Sequence, residues 1–409
     1  MENTLTKKLP PMLTGNDLEA ALAIAPEYDP EIINMDPATR LMALNQLYKV
    51  FVPTKMAKEI YTRMYLSLLR SLQKKESKLA IQQYMENHKA IRQQQYSGII
   101  GGSDSFTIIG TSGIGKSSAN TRSIQLLTAE EVIEIKRPYS KIIPCVLVQT
   151  PFDSSVKGLL YEILRVVDEK LGSKYYANAL RARSTTDMLI GAVSQVALNH
   201  IGLLVVDEIQ HIVNHKNGKT LIGCLTQLIN NSGISIAMIG TPESSAFFTQ
   251  AMQLARRSLG LHYEALEYGD EFQRVCEALY SHQYVKHPTT LNVATTQWLY
   301  EHSGGNISIV AGLIHDAQEA AILDGSEILN LDSLRLAYQD RMAMLHPYIT
   351  VPKKPKTSVP KKPQPMPQVV CEVPDEDISI STLILRAKNE CQDIVSFLQK
   401  QITVEVITV

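Results

Sequence analysis

The residues with the clearest chemical capacity form one run, Gly110-Thr111-Ser112-Gly113-Ile114-Gly115-Lys116-Ser117, which fits the pattern G-x-x-x-x-G-K-[ST]. Glycines in such a run let the backbone wrap so that its N–H groups face phosphate oxygens, and a helix opening directly after it adds its positive N-terminal end. Lys116 then reaches the β- and γ-phosphates, and the Ser117 hydroxyl ligates Mg²⁺. The nucleotide-contacting set is therefore Gly110, Thr111, Ser112, Gly113, Ile114, Gly115, Lys116, Ser117 and Ser118, with ATP and Mg²⁺ as the implied ligands. The alternative is a chance Gly-rich turn, and the flanking strand and helix patterns weigh against it.

A second run, Leu203-Leu204-Val205-Val206-Asp207-Glu208, is an apolar strand ending in two adjacent carboxylates. Asp207 suits the hydrated Mg²⁺ and Glu208 suits polarising a water for attack on the γ-phosphoryl group, an arrangement that favours hydrolysis over transfer to a small acceptor. A third strand ends at Ile239-Gly240-Thr241-Pro242. Thr241 there is a candidate for positioning the attacking water, or equally part of a Thr-Pro turn capping the next helix. Arg256 and Arg257 are a candidate trans-acting arginine finger toward a neighbouring subunit, with an ordinary solvated pair as the alternative.

These residues need strands to carry them. Residues 106–109, 142–148, 202–206 and 234–239 read as buried strands, separated by helical stretches near 117–127, 156–171, 186–199 and 220–230. Continuously apolar strands alternating with helices predict a parallel sheet covered on both faces. Around this core the spacing divides the chain into a flexible N-terminal arm (1–37), a basic helical region (38–95), the α/β nucleotide-binding core (96–262), an all-α segment (263–345), a Pro/Lys-rich linker (346–377) and a C-terminal docking segment (378–409). Residues 55–95 carry nine Lys/Arg against three acids, so a basic helical surface is expected ahead of the core.

The chain has 409 residues, with 40 Lys+Arg against 41 Asp+Glu, so a nucleic-acid partner must be met by a local basic patch and a histone-like polycation is excluded. At 44% hydrophobic and 20% charged residues the chain can bury a core. Five widely spaced cysteines show no metal-ligand spacing, and neither a signal peptide nor a membrane-length apolar run is present. A reduced cytosolic protein without structural zinc is the expectation.

The phosphate loop, the Asp207-Glu208 pair (a Walker B site), Thr241, the arginine pair and the trailing helices together resemble the AAA+ ATPases. Phe51-Val52-Pro53-Thr54, Val148-Gln149-Thr150-Pro151 and Ile239-Gly240-Thr241-Pro242-Glu243 are similar to the TnsC/TniB transposition regulators, over roughly residues 40–345. The resemblance implies an AAA+ P-loop fold, a parallel sheet sandwiched by helices. An N-terminal helical region, a small all-α lid and a tethered C-terminal helix would complete it. It implies a switch-like ATP hydrolase of the bacterial cytoplasm, associated with the nucleoid when on DNA. Its ATP-bound subunits would form a ring or filament on double-stranded DNA and link a target-selection protein of TniQ/TnsD type, through the N-terminal region, to the transposase, through the C-terminal segment. One departure stands out: the turn Ser303-Gly304-Gly305-Asn306 continues through Ile307 and Ser308 without the lid arginine many relatives carry. Weaker lid closure and a slow switch are the expectation.

Backbone-tracking DNA contact requires Lys/Arg facing phosphates. Lys136, Arg137, Lys141, Lys157, Arg181 and Arg183 are the candidates, each with a plain solvated charge as its alternative. Two other readings share the motifs: a helicase loader or initiator-like ATPase, and a nucleotide-gated protein scaffold that binds no DNA. No helix-turn-helix pattern follows the lid, which disfavours the first.

Overall fold

The computed structural model describes residues 5–76, 105–136, 139–153, 155–212, 218–244 and 259–342. The phosphate-loop strand β1 (Phe106–Gly110) is followed by β2 (Ile133–Lys136), β3 (Tyr139–Gln149), β4 (Ile201–Asp207), β5 (Ser235–Gly240) and β6 (Leu259–Tyr263). They form one sheet in the order β2-β3-β4-β5-β1-β6. All neighbours pair parallel except the β2–β3 hairpin, which is antiparallel. The four expected strands are present, and the parallel sheet between helices stands.

Alternation along the strands shows why the sheet needs cover on both sides. In β4, Leu204 and Val206 join one buried cluster while Leu203 and Val205 join the other; in β5 the split is Ile236 and Met238 against Ala237 and Ile239. Successive side chains leave opposite faces, so a strand buried on both sides reads as an unbroken apolar run. The α-helices among the described residues are, in chain order, α1 (Gly15–Leu22), α2 (Pro37–Leu44), α3 (Lys55–Glu76), α4 (Lys116–Leu127), α5 (Val156–Leu171), α6 (Tyr175–Arg181), α7 (Thr186–His200), α8 (Gly218–Ser232), α9 (Asp270–Tyr280), α10 (Val293–Ser303), α11 (Ile307–Asp324) and α12 (Leu331–Ala337). α5, α7 and α8 cover one face, and α1, α3 and α4 the other.

The N-terminal residues differ from the expected loose arm. Leu5, Leu9, Leu18 and Leu22 are buried in the same cluster as β1 and α3, so their apolar side chains anchor the segment to the sheet. α3 is the described part of the basic helical surface expected over residues 55–95, whose residues 77–95 lie outside the described residues, and its apolar face packs on the core. It buries Met56, Ile60, Tyr61, Met64, Leu68 and Leu72, Ser71 Oγ donates to the Gly202 carbonyl at 2.6 Å, Lys58 pairs with Glu19 at 2.9 Å, and Lys75 Nζ donates to the Ala197 carbonyl at 3.3 Å.

The lid, α9–α12, has its own buried cluster, and residues of α2 and the turn after it, Leu44 and Leu47, belong to it. The N-terminal region therefore packs on the core with its first helix and α3, and on the lid with α2. Between the two, residues 50–54 run along the cleft where core meets lid. Gly305 (φ +78°) fixes the lid joint: a Cβ there would lie 1.8 Å from the Leu266 carbonyl oxygen. Residues 343–409, which include the expected linker and docking helix, lie outside the described residues.

Candidate nucleotide-binding site

Sheet order determines what meets the phosphate loop. Because β5 lies between β1 and β4, the loop after β1 faces the end of β5 directly and the end of β4 one strand further on. A cavity of about 330 Å³ opens there, lined at one end by Ser112–Ser118, Asp207, Glu208, Gln210, Gly240 and Thr241. Seven of the nine expected loop residues thus reach it. Gly110 and Thr111 lie behind the loop, and their carbonyls each accept from Lys116 Nζ at 2.7 Å.

One ammonium faces three carboxylates, a balance that suits a polyanion only together with a divalent cation. Burial pulls the Lys116 ammonium below its ordinary value, while Asp207, Glu208 and Glu243 favour its charge. Asp207 is held above the usual carboxylate range, chiefly by burial and by the Glu208 charge, against the lowering effect of the Glu208 N–H, Lys116 and the Ser117 hydroxyl. That N–H donates to Asp207 Oδ1 at 2.8 Å, and Thr150 ties down the Asp207 carbonyl with its hydroxyl at 2.9 Å. The proximity of the Ser117 hydroxyl to the Asp207 carboxylate makes a hard oxygen donor set of the kind Mg²⁺ takes. Those two residues would hold the ion, whose chemistry is neutralisation of phosphate charge.

Glu208 has a left-handed backbone (φ +59°), a conformation costing a residue with a Cβ roughly 1–2 kcal/mol. Gln210 Nε2 donates to the Glu208 carboxylate. Thr241 lines the cavity, and its carbonyl accepts the Ser244 N–H at 2.9 Å to open a short 3-10 turn. Its hydroxyl bonds Glu243, which lowers that carboxyl.

The other end of the cavity is apolar. Leu47, Val50 and Val52 form one wall, Val275 and Leu279 of α9 and Ile307 and Ala311 of α11 the other, with Tyr48 beside them. The lid meets the loop through a neutral group: Asn306 Nδ2 donates to the Ser112 carbonyl at 2.8 Å. The i,i+4 pairs 275/279 and 307/311 are visible in the sequence only as helix periodicity, which does not distinguish a slot wall from a core face. Gln210 and Asn306 carry no sequence signal of a role.

The candidate DNA residues do not gather in one place. β3 runs toward the cavity, so Lys141 near its start lies at the far end of an 11-residue strand, roughly 35 Å long. Lys136 ends the hairpin strand beside it, and Lys141 pairs with Glu134 at 2.7 Å. Lys157, in the first turn of α5, follows the opposite end of β3 and is exposed. Arg181, the last residue of α6, and Arg183, in the turn after it, are exposed, Arg183 with a left-handed backbone. Arg137, Arg256 and Arg257 lie outside the described residues. Among those described, no helix is long and apolar enough to cross a membrane.

The family model described as "Bacterial TniB protein" matches residues 80–264. No curated protein matches. Among solved structures, the chain is similar to Aeropyrum pernix Orc1 in complex with DNA (14% identity, TM-score 0.42), covering 63% of this chain and 64% of that one. It is similar to Drosophila ORC bound to DNA (11%, TM-score 0.39, covering 74% and 73%). A third similarity is to a point mutant of Thermotoga maritima RuvB (11%, TM-score 0.34, covering 69% and 68%). The chain thus spans under two thirds of the Orc1 chain. The TniB match contains the phosphate loop, both carboxylates and Thr241, in agreement with the AAA+ ATPase resemblance of the motifs.

Proposed function

We propose, from the match of residues 80–264 to the TniB family model, that the protein is an ATP-dependent, DNA-binding AAA+ regulator of transposition. It oligomerises on target DNA in the bacterial cytoplasm and connects a target-selection protein to the transposase. ATP hydrolysis releases the assembly. The single observation that supports the chemistry best is the convergence of Lys116, Asp207, Glu208 and Thr241 on one cavity with an apolar far end. The triphosphate lies along residues 112–118 and the purine enters the slot between Val50/Val52 and Ile307/Ala311.

Glu208 accepts a proton from a water whose oxygen bonds to the γ-phosphorus. The bond from that phosphorus to the bridging oxygen breaks, and ADP and phosphate leave. Lys116 balances charge gathering on the phosphate oxygens, and Thr241 orients the water. Mg²⁺ at Ser117 and Asp207 supplies further charge neutralisation. Arg256 or Arg257 from a neighbouring subunit completes the site. For DNA, Lys157, Arg181 and Arg183 are the stronger candidates because they are exposed; Lys141 already has Glu134 as its partner.

The test is electron microscopy of the purified protein with duplex DNA, comparing an ATP analogue, ADP, and Glu208→Gln with ATP. Rings or filaments on DNA only in the ATP-like states are expected. Dispersed particles under every condition would overturn the proposal.

A further inference from the structure

The phosphate loop has a second neighbour besides the carboxylates, the start of lid helix α11. Asn306 Nδ2 donates to the Ser112 carbonyl at 2.8 Å, and the Ser308 backbone N–H donates to the Gly113 carbonyl at 3.0 Å. Asn306 is also the N-cap of α11, its Oδ1 accepting the Ser308 N–H at 3.1 Å. One side chain therefore terminates the lid helix and grips the loop.

Gly113 supplies an independent sign. The loop pattern leaves that position open, yet here it is glycine with φ +84°, and a Cβ would lie 2.5 Å from Asn306 Oδ1 and 3.0 Å from Ser308 Cβ. The lid, in addition to the backbone angle, leaves no space for a side chain. Each peptide is planar, so holding the Ser112 carbonyl fixes the direction of the Gly113 N–H, and holding the Gly113 carbonyl fixes that of the Ile114 N–H. Both residues line the nucleotide cavity.

We infer that Asn306 is a positioning residue for ATP binding and hydrolysis, an uncharged latch that orients the mid-loop N–H groups from the lid. The inference rests on the reading of the cavity as an ATP site. An amide fits the task because it donates to a carbonyl without adding charge, whereas a carboxylate at the same point repels the phosphates.

The test is Asn306→Asp in the full chain. Asp caps a helix as well as Asn does, so the melting temperature should hold, while the donor to Ser112 is lost and a negative charge faces the loop. Affinity for a non-hydrolysable ATP analogue should fall about tenfold, ADP affinity about threefold or less, and KM should rise more than kcat falls. Should the Asp variant melt early, Asn306→Ser, a good cap too short to reach Ser112, serves in its place and should lose about threefold in affinity for both nucleotides. A well-folded variant with wild-type affinities and KM would show that Asn306 only caps α11. Failure of the wild-type protein to bind the ATP analogue would instead overturn the ATP reading, and the latch with it.

Discussion

Arg40 and Glu327, 287 positions apart, form a buried two-pronged ion pair between α2 and the lid, with nitrogen–oxygen distances of 2.6 and 2.5 Å. The guanidinium also donates to the Tyr284 carbonyl at 2.9 Å and the Met35 carbonyl at 3.2 Å, so its donors are well used. Removing one partner strands a buried charge, and Arg40→Ala should cost about 3–5 kcal/mol in denaturant unfolding. The pair also sets an acid response. The Arg40 guanidinium holds the Glu327 carboxyl below its ordinary 4.5, so its contribution is present above about pH 4.5 and disappears as pH falls through the lower folded value. Glu327→Gln should flatten that acid limb when melting temperature is followed from pH 6 to pH 3; an unchanged limb would exclude this pair as its source.

Lys116 and Glu208 should separate binding from chemistry. Lys116→Ala removes the ammonium facing the phosphates and should weaken ATP binding at least tenfold in a titration. Glu208→Gln keeps the shape and loses the base, so binding should persist while kcat falls about 10²- to 10⁴-fold. Equal loss of binding in both variants would refute the division of roles.

Gln210 acts on Glu208 from two residues away. A donor on the carboxylate occupies a lone pair that would otherwise take the water's proton, and it restrains the side chain. Gln210→Ala should therefore raise kcat of the isolated protein about two- to fivefold, with nucleotide affinity unchanged. A fall in kcat would mean that the restraint holds Glu208 in its working position.

The apolar end of the cavity is tested by Ala311→Leu, which extends a side chain into the slot between α11 and residues 50–52. KM for ATP should rise about tenfold or more through overpacking, with kcat little changed. Inorganic triphosphate, which has no base, should inhibit the variant and the wild type alike. Equal loss of triphosphate inhibition would place the damage in the loop and not in the slot.

What can be read from the sequence tracks how local its cause is. The phosphate loop and the Asp207-Glu208 strand are contiguous, and their strands and helices are matched within one to three residues. β3 is longer than expected because Tyr139–Lys141 pairs with β2, a stretch too short and mixed in polarity to signal a strand by itself. The edge strand β6, Leu-Gly-Leu-His-Tyr, has neither apolar continuity nor clean alternation, and it forms because β1 offers it a free edge. The N-terminal leucines look loose in the sequence because their burial depends on α3 and β1, distant along the chain. Asn306, Gln210 and the walls of the slot are silent for the same reason: each takes its role from a surface supplied by another part of the chain.

The path of residues 47–52 past the cleft bears on how the protein can be dissected. A fragment beginning at Lys55 would retain every motif residue of the nucleotide site, and by inspection of its sequence would be classed as an intact ATPase. It would nevertheless discard one side of the slot we assign to the base and the Arg40 half of the lid's ion pair. Such a fragment would present a phosphate-binding loop with little to tell one nucleoside from another. Assays on it would measure affinity for triphosphate in place of selectivity for ATP.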